Sequence, residues 1–266
     1  MDWLSALILG IIQGLAEFLP VSSSGHLELG RSLLGLEMSG ETGLLFTITV
    51  HAGTALSTVV VFYKDIVSIL GGIFKGHEED RKFAGAILVS MIPAGVIGLL
   101  FEDAIEGLFE GSTLLVGLML LVTGLLLLMA DQAKKTHKKV SLGDAFAVGI
   151  AQAIAILPGI SRSGATISAS VLLGIDREKA ARFSFLMVVP VILGKMLLDV
   201  IDMASNPEAA SDTLLMPLML GFIAAFITGL WACRTMIQLV KRAKLKYFAY
   251  YCFAVGAIAS LWTALA

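Results

Sequence analysis

The sequence predicts an all-α polytopic membrane protein: an inverted-topology repeat with six transmembrane helices and two re-entrant helical hairpins. Three observations carry that expectation. The 266 residues are 57% hydrophobic and only 15% charged, with a mean hydropathy of +0.90, whereas soluble domains are roughly 25% charged. Apolar runs of about 20 residues recur, the length a helix needs to cross a bilayer's hydrocarbon core, without the alternation of a membrane barrel. Finally, two further apolar regions are each broken near their centre by proline, glycine and serine.

Taken in order, the elements form one membrane domain over 1–266. Repeat 1 (1–133) opens with a hairpin at 3–36, broken at "LPVSSSGH", followed by spans at 44–63, 83–101 and 112–130. Repeat 2 (141–266) opens with a hairpin at 143–175, broken at "LPGISRSGAT", followed by spans at 183–201, 213–233 and 247–265. A helix stopped by proline, a short polar loop and a second helix opened by serines would enter and leave the membrane on one side. Asp2 precedes the first apolar run and no basic residue occurs before Arg31, so the start lacks a signal peptide's charged region and is expected to be retained. Cys233 and Cys252 fall inside spans with no metal-ligand or disulfide spacing, and read as packing residues.

Charge placement sets the topology, because Lys and Arg collect in cytoplasmic loops. Lys64, Lys75, Arg81 and Lys82 follow the first span, and Lys134, Lys135, Lys138 and Lys139 follow the third. Arg177, Lys179 and Arg182 precede the fourth; Lys241, Arg242, Lys244 and Lys246 separate the last two. Together these are most of the 19 basic residues. The alternate connections are acidic, with Glu102, Asp103, Glu106 and Glu110 in one and Asp199, Asp202, Glu208 and Asp212 in another. If either broken region crossed fully, the alternation would fail at residue 143 or the first half would need an asymmetric reading, so both are expected to turn back on themselves. Both chain ends and the first hairpin's mouth then lie outside, and the second hairpin opens to the cytoplasm. The net charge of −2 says nothing about nucleic acid, and no nucleic-acid partner is expected.

At a constant offset of 139, Gly10, Gln13, Ala16, Ser22, Ser24 and Gly25 align with Gly149, Gln152, Ala155, Ser161, Ser163 and Gly164. Each copy precedes three spans, an odd number, so duplication places the second copy upside down. The two loop tips are then expected to meet near the bilayer middle.

The chemistry concentrates at those tips. Arg162 is the only charged residue between Ala145 and Ile175, and Glu17 and Glu28 are the only acids between Trp3 and Gly30. Charges in apolar surroundings cost several kcal/mol unless paired or wetted, so they mark a pathway or a site. A purely structural Glu17–Arg162 pair would need no serines, yet Ser22, Ser23, Ser24, Ser161, Ser163 and Thr166 cluster where second hairpin helices begin. Capping uses one hydroxyl per helix. Free N–H groups and several hydroxyls at two helix starts, including those at Gly25 and Gly164, make an anion cradle, and a guanidinium matches phosphate oxygens. His26 can move protons near neutral pH, Ser23 can act as a nucleophile, and Glu17 can bind a divalent cation or orient His26. Gln13 lies four residues before Glu17 and shares its helix face. His51, in "TVHAGTALS", reads first as a helix-packing histidine and second as a supporting site residue. Glu28 with Arg31, and Lys195 with Asp199, read as structural pairs.

At "QGLAEFLPVSSSGH" and "QAIAILPGISRSGATIS" the sequence resembles the undecaprenyl-diphosphate phosphatase family of the bacitracin-resistance type, and the likeness extends through "FSFLMVVPVILG". The resemblance implies hydrolysis of undecaprenyl diphosphate to the monophosphate carrier used in cell-wall synthesis. It also implies a site facing outward from the bacterial cytoplasmic membrane, aided by a divalent cation such as Mg²⁺ or Ca²⁺. The sequence itself is silent on oligomeric state, with a homodimer one open assembly. Carried over by position, the acidic motif falls on Gln13 and Glu17, the serine and histidine on Ser23 and His26, and the arginine motif on Ser161, Arg162, Ser163 and Thr166. Many members carry Glu where this chain has Gln13, which leaves one carboxylate and puts more weight on Glu17 as the metal ligand. Ser23, His26 and a metal-bound water stay open as nucleophile. A polyprenyl-phosphate flippase that binds without cleaving is the other function class, since transporters share inverted repeats with broken helices.

Overall fold

The computed structural model describes residues 1–36, 41–101, 107–108, 113–134, 136–205, 215–242 and 244–265. Most of the acidic connections, and the side chains of the expected Lys195–Asp199 pair, lie outside the described residues. Among the described residues the helices are α1 (Trp3–Phe18), α2 (Ser23–Leu33), α3 (Glu41–Val61), α4 (Tyr63–Lys75), α5 (Glu78–Leu100), α6 (Thr113–Gln132), α7 (Leu142–Ile154), α8 (Arg162–Leu172), α9 (Arg177–Ser205), α10 (Leu215–Lys241) and α11 (Leu245–Leu265). No strand occurs among the described residues, and one isolated bridge joins Lys138 to Ile175. The chain is an all-α polytopic membrane protein. Helices α3, α5, α6, α10 and α11 contain segments long and apolar enough to cross a bilayer. The span expected at 183–201 lies within the 29 residues of α9.

Both broken regions form short helix pairs, as their prolines require. Helix α1 stops at Phe18, before Leu19 and Pro20, and α7 stops at Ile154, before Pro158. The expected connection at 64–75 is instead a 13-residue helix, α4. Phe62 breaks the run from α3; Ile69 then turns inward while Val67, Leu70 and Phe74 stay exposed, and Gly76 closes the helix in the left-handed region.

Packing follows a regular scheme. Helix α1 lies along α10 and α7 along α5, while α6 pairs with α11, and α3 packs mainly on α10 and also against α9. Glycine permits the two hairpin contacts: a Cβ on Gly10 would fall 2.5 Å from the Gly221 carbonyl oxygen, and one on Gly149 would fall 2.5 Å from that of Ser90. The largest apolar cluster gathers Phe18, Leu120, Leu127, Ile167, Phe185 and Met236 beside the site, with Cys233 and Cys252 as buried free thiols within it. Many large apolar side chains face outward, among them Leu88, Leu99, Ile258 and Trp262, as a lipid-facing surface requires.

Candidate active site

The two helix starts are built alike. Ser22 caps α2, its Oγ accepting from the Gly25 N–H at 3.3 Å, and Ser161 caps α8, its Oγ accepting from the Gly164 N–H at 3.0 Å. Each cap also shares a hydrogen bond with the serine two residues on: Ser22 with Ser24 at 3.3 Å, and Ser161 with Ser163 at 3.2 Å. Ser22 is the one non-glycine at positive φ (71°) among the described residues, a conformation that costs of order 1–3 kcal/mol and persists where surroundings enforce it. The enforcing contacts are at its carbonyl, which accepts from the His26 backbone N–H and from His26 Nδ1.

The tips meet as expected. Ser163 Oγ donates to the Leu19 carbonyl at 3.3 Å, and a Cβ on Gly25 would stand 3.3 Å from the Gly159 Cα. Gly159 itself (φ 94°) lies against α6, where a Cβ would come within 2.5 Å of the Val116 carbonyl oxygen. Thr123 of α6 pins this turn, accepting from the Ser161 N–H at 3.0 Å and donating to the Gly159 carbonyl at 3.2 Å.

Glu17 is the centre of the arrangement and is only 8% exposed. Its Oε1 accepts from Arg162 Nη2. Its Oε2 accepts from Ser23 Oγ at 2.6 Å and from Gln13 Nε2 at 3.0 Å. His51 Nε2 stands 4.0 Å from the same oxygen, while His51 Nδ1 donates to the Thr47 carbonyl at 2.8 Å. A carboxylate buried in a membrane protein is tolerable because donors surround it. A guanidinium has five N–H donors, so contact with Glu17 through one nitrogen leaves others for an anion. A small cavity beside the pair is lined by Phe18, Thr58, Ser163, Ser184, Phe185 and Val188. A larger groove of about 580 Å³, lined by residues such as Ile92, Val96, Phe146 and Ile150, carries no reactive group.

The remaining expected residues divide. Thr166 Oγ1 donates to the Arg162 carbonyl at 2.8 Å and shares a hydrogen bond with Ser184 Oγ at 2.5 Å, so its hydroxyl fastens α8 to α9. His26 directs Nε2 to the Tyr251 hydroxyl of α11 at 2.8 Å, with the two rings stacked at a centroid distance of 5.5 Å and 15° between planes. Its hydrogen bonds run to Ser22 and Tyr251, not to Glu17. Arg31 donates to Thr47 Oγ1 at 2.5 Å, so its hydrogen bond runs to α3 and not to Glu28, the partner expected from the sequence. Tyr251, Thr123 and Ser184 were not foreseen. A tyrosine in "FAYYCFAVG" or a lone hydroxyl in an apolar span gives no periodic or charge signal; only its partner does.

Could these residues hold a hard cation? Mg²⁺ and Ca²⁺ take oxygen ligands, and Mg²⁺ is often held by one or two carboxylates together with substrate phosphates. Among the described residues no three His, Cys, Asp or Glu side chains gather. Glu17 nevertheless offers carboxylate oxygens, and one turn before it the buried Gln13 Oε1 has no hydrogen-bond partner. That orphaned acceptor beside a carboxylate fits a cation completed by phosphate oxygens.

Residues 6–258 match the family described as "Bacitracin resistance protein BacA". The chain is 57% identical over 263 residues to an undecaprenyl-diphosphatase of Christiangramia forsetii, covering 98% of each chain. It is 49% identical over 267 residues to one of Parabacteroides distasonis, covering both in full. A further enzyme of that name, from Bacteroides fragilis, is 50% identical over 260 residues, or 97% of each.

Proposed function

This chain belongs to the bacitracin resistance protein family, and from that premise we propose how its two helix starts divide the work of one reaction. It is an enzyme, a membrane-embedded undecaprenyl-diphosphatase that hydrolyses undecaprenyl diphosphate to undecaprenyl phosphate and inorganic phosphate. The observation that carries the assignment of roles is the convergence on Glu17 of Ser23 from one hairpin and Arg162 from the other.

In this reading the terminal phosphate lies between the starts of α2 and α8, held by Arg162 and by the Ser24 and Ser163 hydroxyls, while Ser22 with Gly25 and Ser161 with Gly164 form the caps that shape the two starts. Ser161 and Thr166 serve mainly by fixing the loop, given the bonds their hydroxyls already make. Ser23 Oγ attacks phosphorus, and Glu17, at 2.6 Å, takes its proton. The bond to the bridging oxygen breaks, and the monophosphate lipid leaves with that electron pair. Water then cleaves the phosphoserine, returning the oxygen to Ser23 and releasing phosphate. His26 carries protons at Nε2, the ring nitrogen not committed to the Ser22 carbonyl. His51 and Gln13 support Glu17. A divalent cation held by Glu17 and Gln13 Oε1 would neutralise phosphate charge.

We further propose two repeats, 1–133 and 141–266, of opposite orientation in the bacterial cytoplasmic membrane, with both termini and the site on the outer face. Supporting this, exchanging the halves maps the α1–α10 pairing onto α7–α5 and leaves the α6–α11 and α3–α9 pairings in place; α4 has no counterpart. The basic residues of the connections support the orientation.

Purified protein incubated with undecaprenyl diphosphate tests the reading. Phosphate release is expected under varied divalent cations; lipid binding without release under any of them would leave a carrier rather than an enzyme.

A further inference from the structure

His26 has one defined and one contested nitrogen. Nδ1 faces the Ser22 carbonyl at 2.8 Å, and a carbonyl can only accept, so Nδ1 carries a proton in every charge state of the ring. All of the histidine's chemistry is therefore left to Nε2. That atom is 2.8 Å from the Tyr251 hydroxyl, and the tyrosine ring also stacks on the imidazole at 5.5 Å between centroids with 15° between planes. A hydrogen bond and a stacked ring together fix both the rotation of the imidazole and the direction of its lone pair. His51 makes the same Nδ1 contact, to the carbonyl four residues before it, but turns Nε2 toward Glu17. The difference is that Tyr251, on α11 in the other half of the chain, claims His26.

We propose that Tyr251 is a positioning residue for the hydrolysis: its hydroxyl and ring hold His26 with Nε2 directed for proton transfer, so that repeat 2 supplies the partner for the histidine of repeat 1. The proposal rests on the reading above in which His26 moves protons, and it adds the residue that aims it. Tyr251 acts through His26: its hydroxyl donates to the neutral Nε2 at rest and gives up that place when Nε2 takes a proton from water or a phosphate oxygen.

The test uses full-length purified enzyme with undecaprenyl diphosphate. Tyr251→Phe keeps the stacked ring and removes the hydroxyl; kcat is expected to fall about tenfold, the order of one well-placed hydrogen bond in a transition state, with KM within about twofold. Tyr251→Leu removes the ring as well and should fall further. In a His26→Ala background, Tyr251→Phe should cost nothing more, because its effect passes through the histidine. A readout independent of turnover is the magnetic resonance of isotope-labelled histidine nitrogens, with the His26 signal assigned by its loss in His26→Ala. Its Nε2 resonance should move in Tyr251→Phe while Nδ1 stays protonated. An unchanged kcat, an unchanged Nε2 resonance, or the same fold-loss with and without His26 would each overturn the proposal. Full activity of His26→Ala would overturn the proton-transfer reading itself, a result distinct from any of these.

Discussion

Arg162 and Glu17 hold each other across 145 residues of sequence, and the pairing has two consequences. With no substrate bound it satisfies two charges that would otherwise sit unpaired in apolar surroundings. With a phosphate present, the planar guanidinium can bridge carboxylate and phosphate oxygens at once, which a single ammonium cannot. Arg162→Lys should therefore leave a folded protein whose kcat falls by about 100-fold or more, the usual scale for a lost donor at a developing charge. Phosphate-release kinetics on the purified variant check this, and near-normal turnover would remove Arg162 from the phosphate. Sequence alone pointed to Glu17, Ser23 and Arg162, because an isolated charge or a serine cluster in an apolar run has few structural explanations. The hydroxyl of Thr166 was harder to read: nothing local reveals that Ser184, 18 residues away, meets it. The same holds for Tyr251, whose side chain is unremarkable in a lipid-facing helix until His26 is placed beside it.

The elements that present these residues are short helices halted in mid-course and steadied at the end where the basic connections gather. Arg177 is the main brace there. It is buried, and its Nη2 donates to the carbonyls of Ala130, Asp131 and Ala133 at 3.0, 2.9 and 3.1 Å, completing acceptors that the end of α6 leaves open. The Asp176 N–H donates to the Lys138 carbonyl at 3.1 Å, and Lys138 Nζ reaches the capping Asp144 of α7 at 2.7 Å, so the ends of α6 and α8 and the start of α7 are tied together. Removing the guanidinium leaves buried carbonyls unsatisfied at about 1–3 kcal/mol. Arg177→Ala should lower the thermal midpoint in detergent, and an unchanged midpoint would deny it this bracing role. In the sequence Arg177 looked like one more base in a cytoplasmic loop, since burial of a charge by backbone partners has no compositional sign. Helix α4 was hidden for a related reason: its apolar face is interrupted by Lys64, Asp65 and Lys75, which read as a connection. The breaks at Pro20 and Pro158 were legible because proline and glycine act locally.

For the molecule as a whole, the sequence pattern predicted where the spans lie and that the loop tips meet, because lipid leaves the backbone few options and duplication leaves a constant offset. It did not reveal the division of labour, which depends on side-chain directions at the tips. In the proposed reading the attacking serine and its acid come from the first half and the phosphate anchor from the second, so that neither half would work alone. The central claim is that Ser23, paired with Glu17, forms the covalent bond to phosphate. Substrate bearing a radiolabelled terminal phosphate, mixed with enzyme and quenched in acid, tests it most directly. Wild-type protein should carry label on the peptide containing Ser23, and Ser23→Ala should carry none and release no phosphate. Hydrolysis that persists in Ser23→Ala, or label found on another residue, would contradict the account.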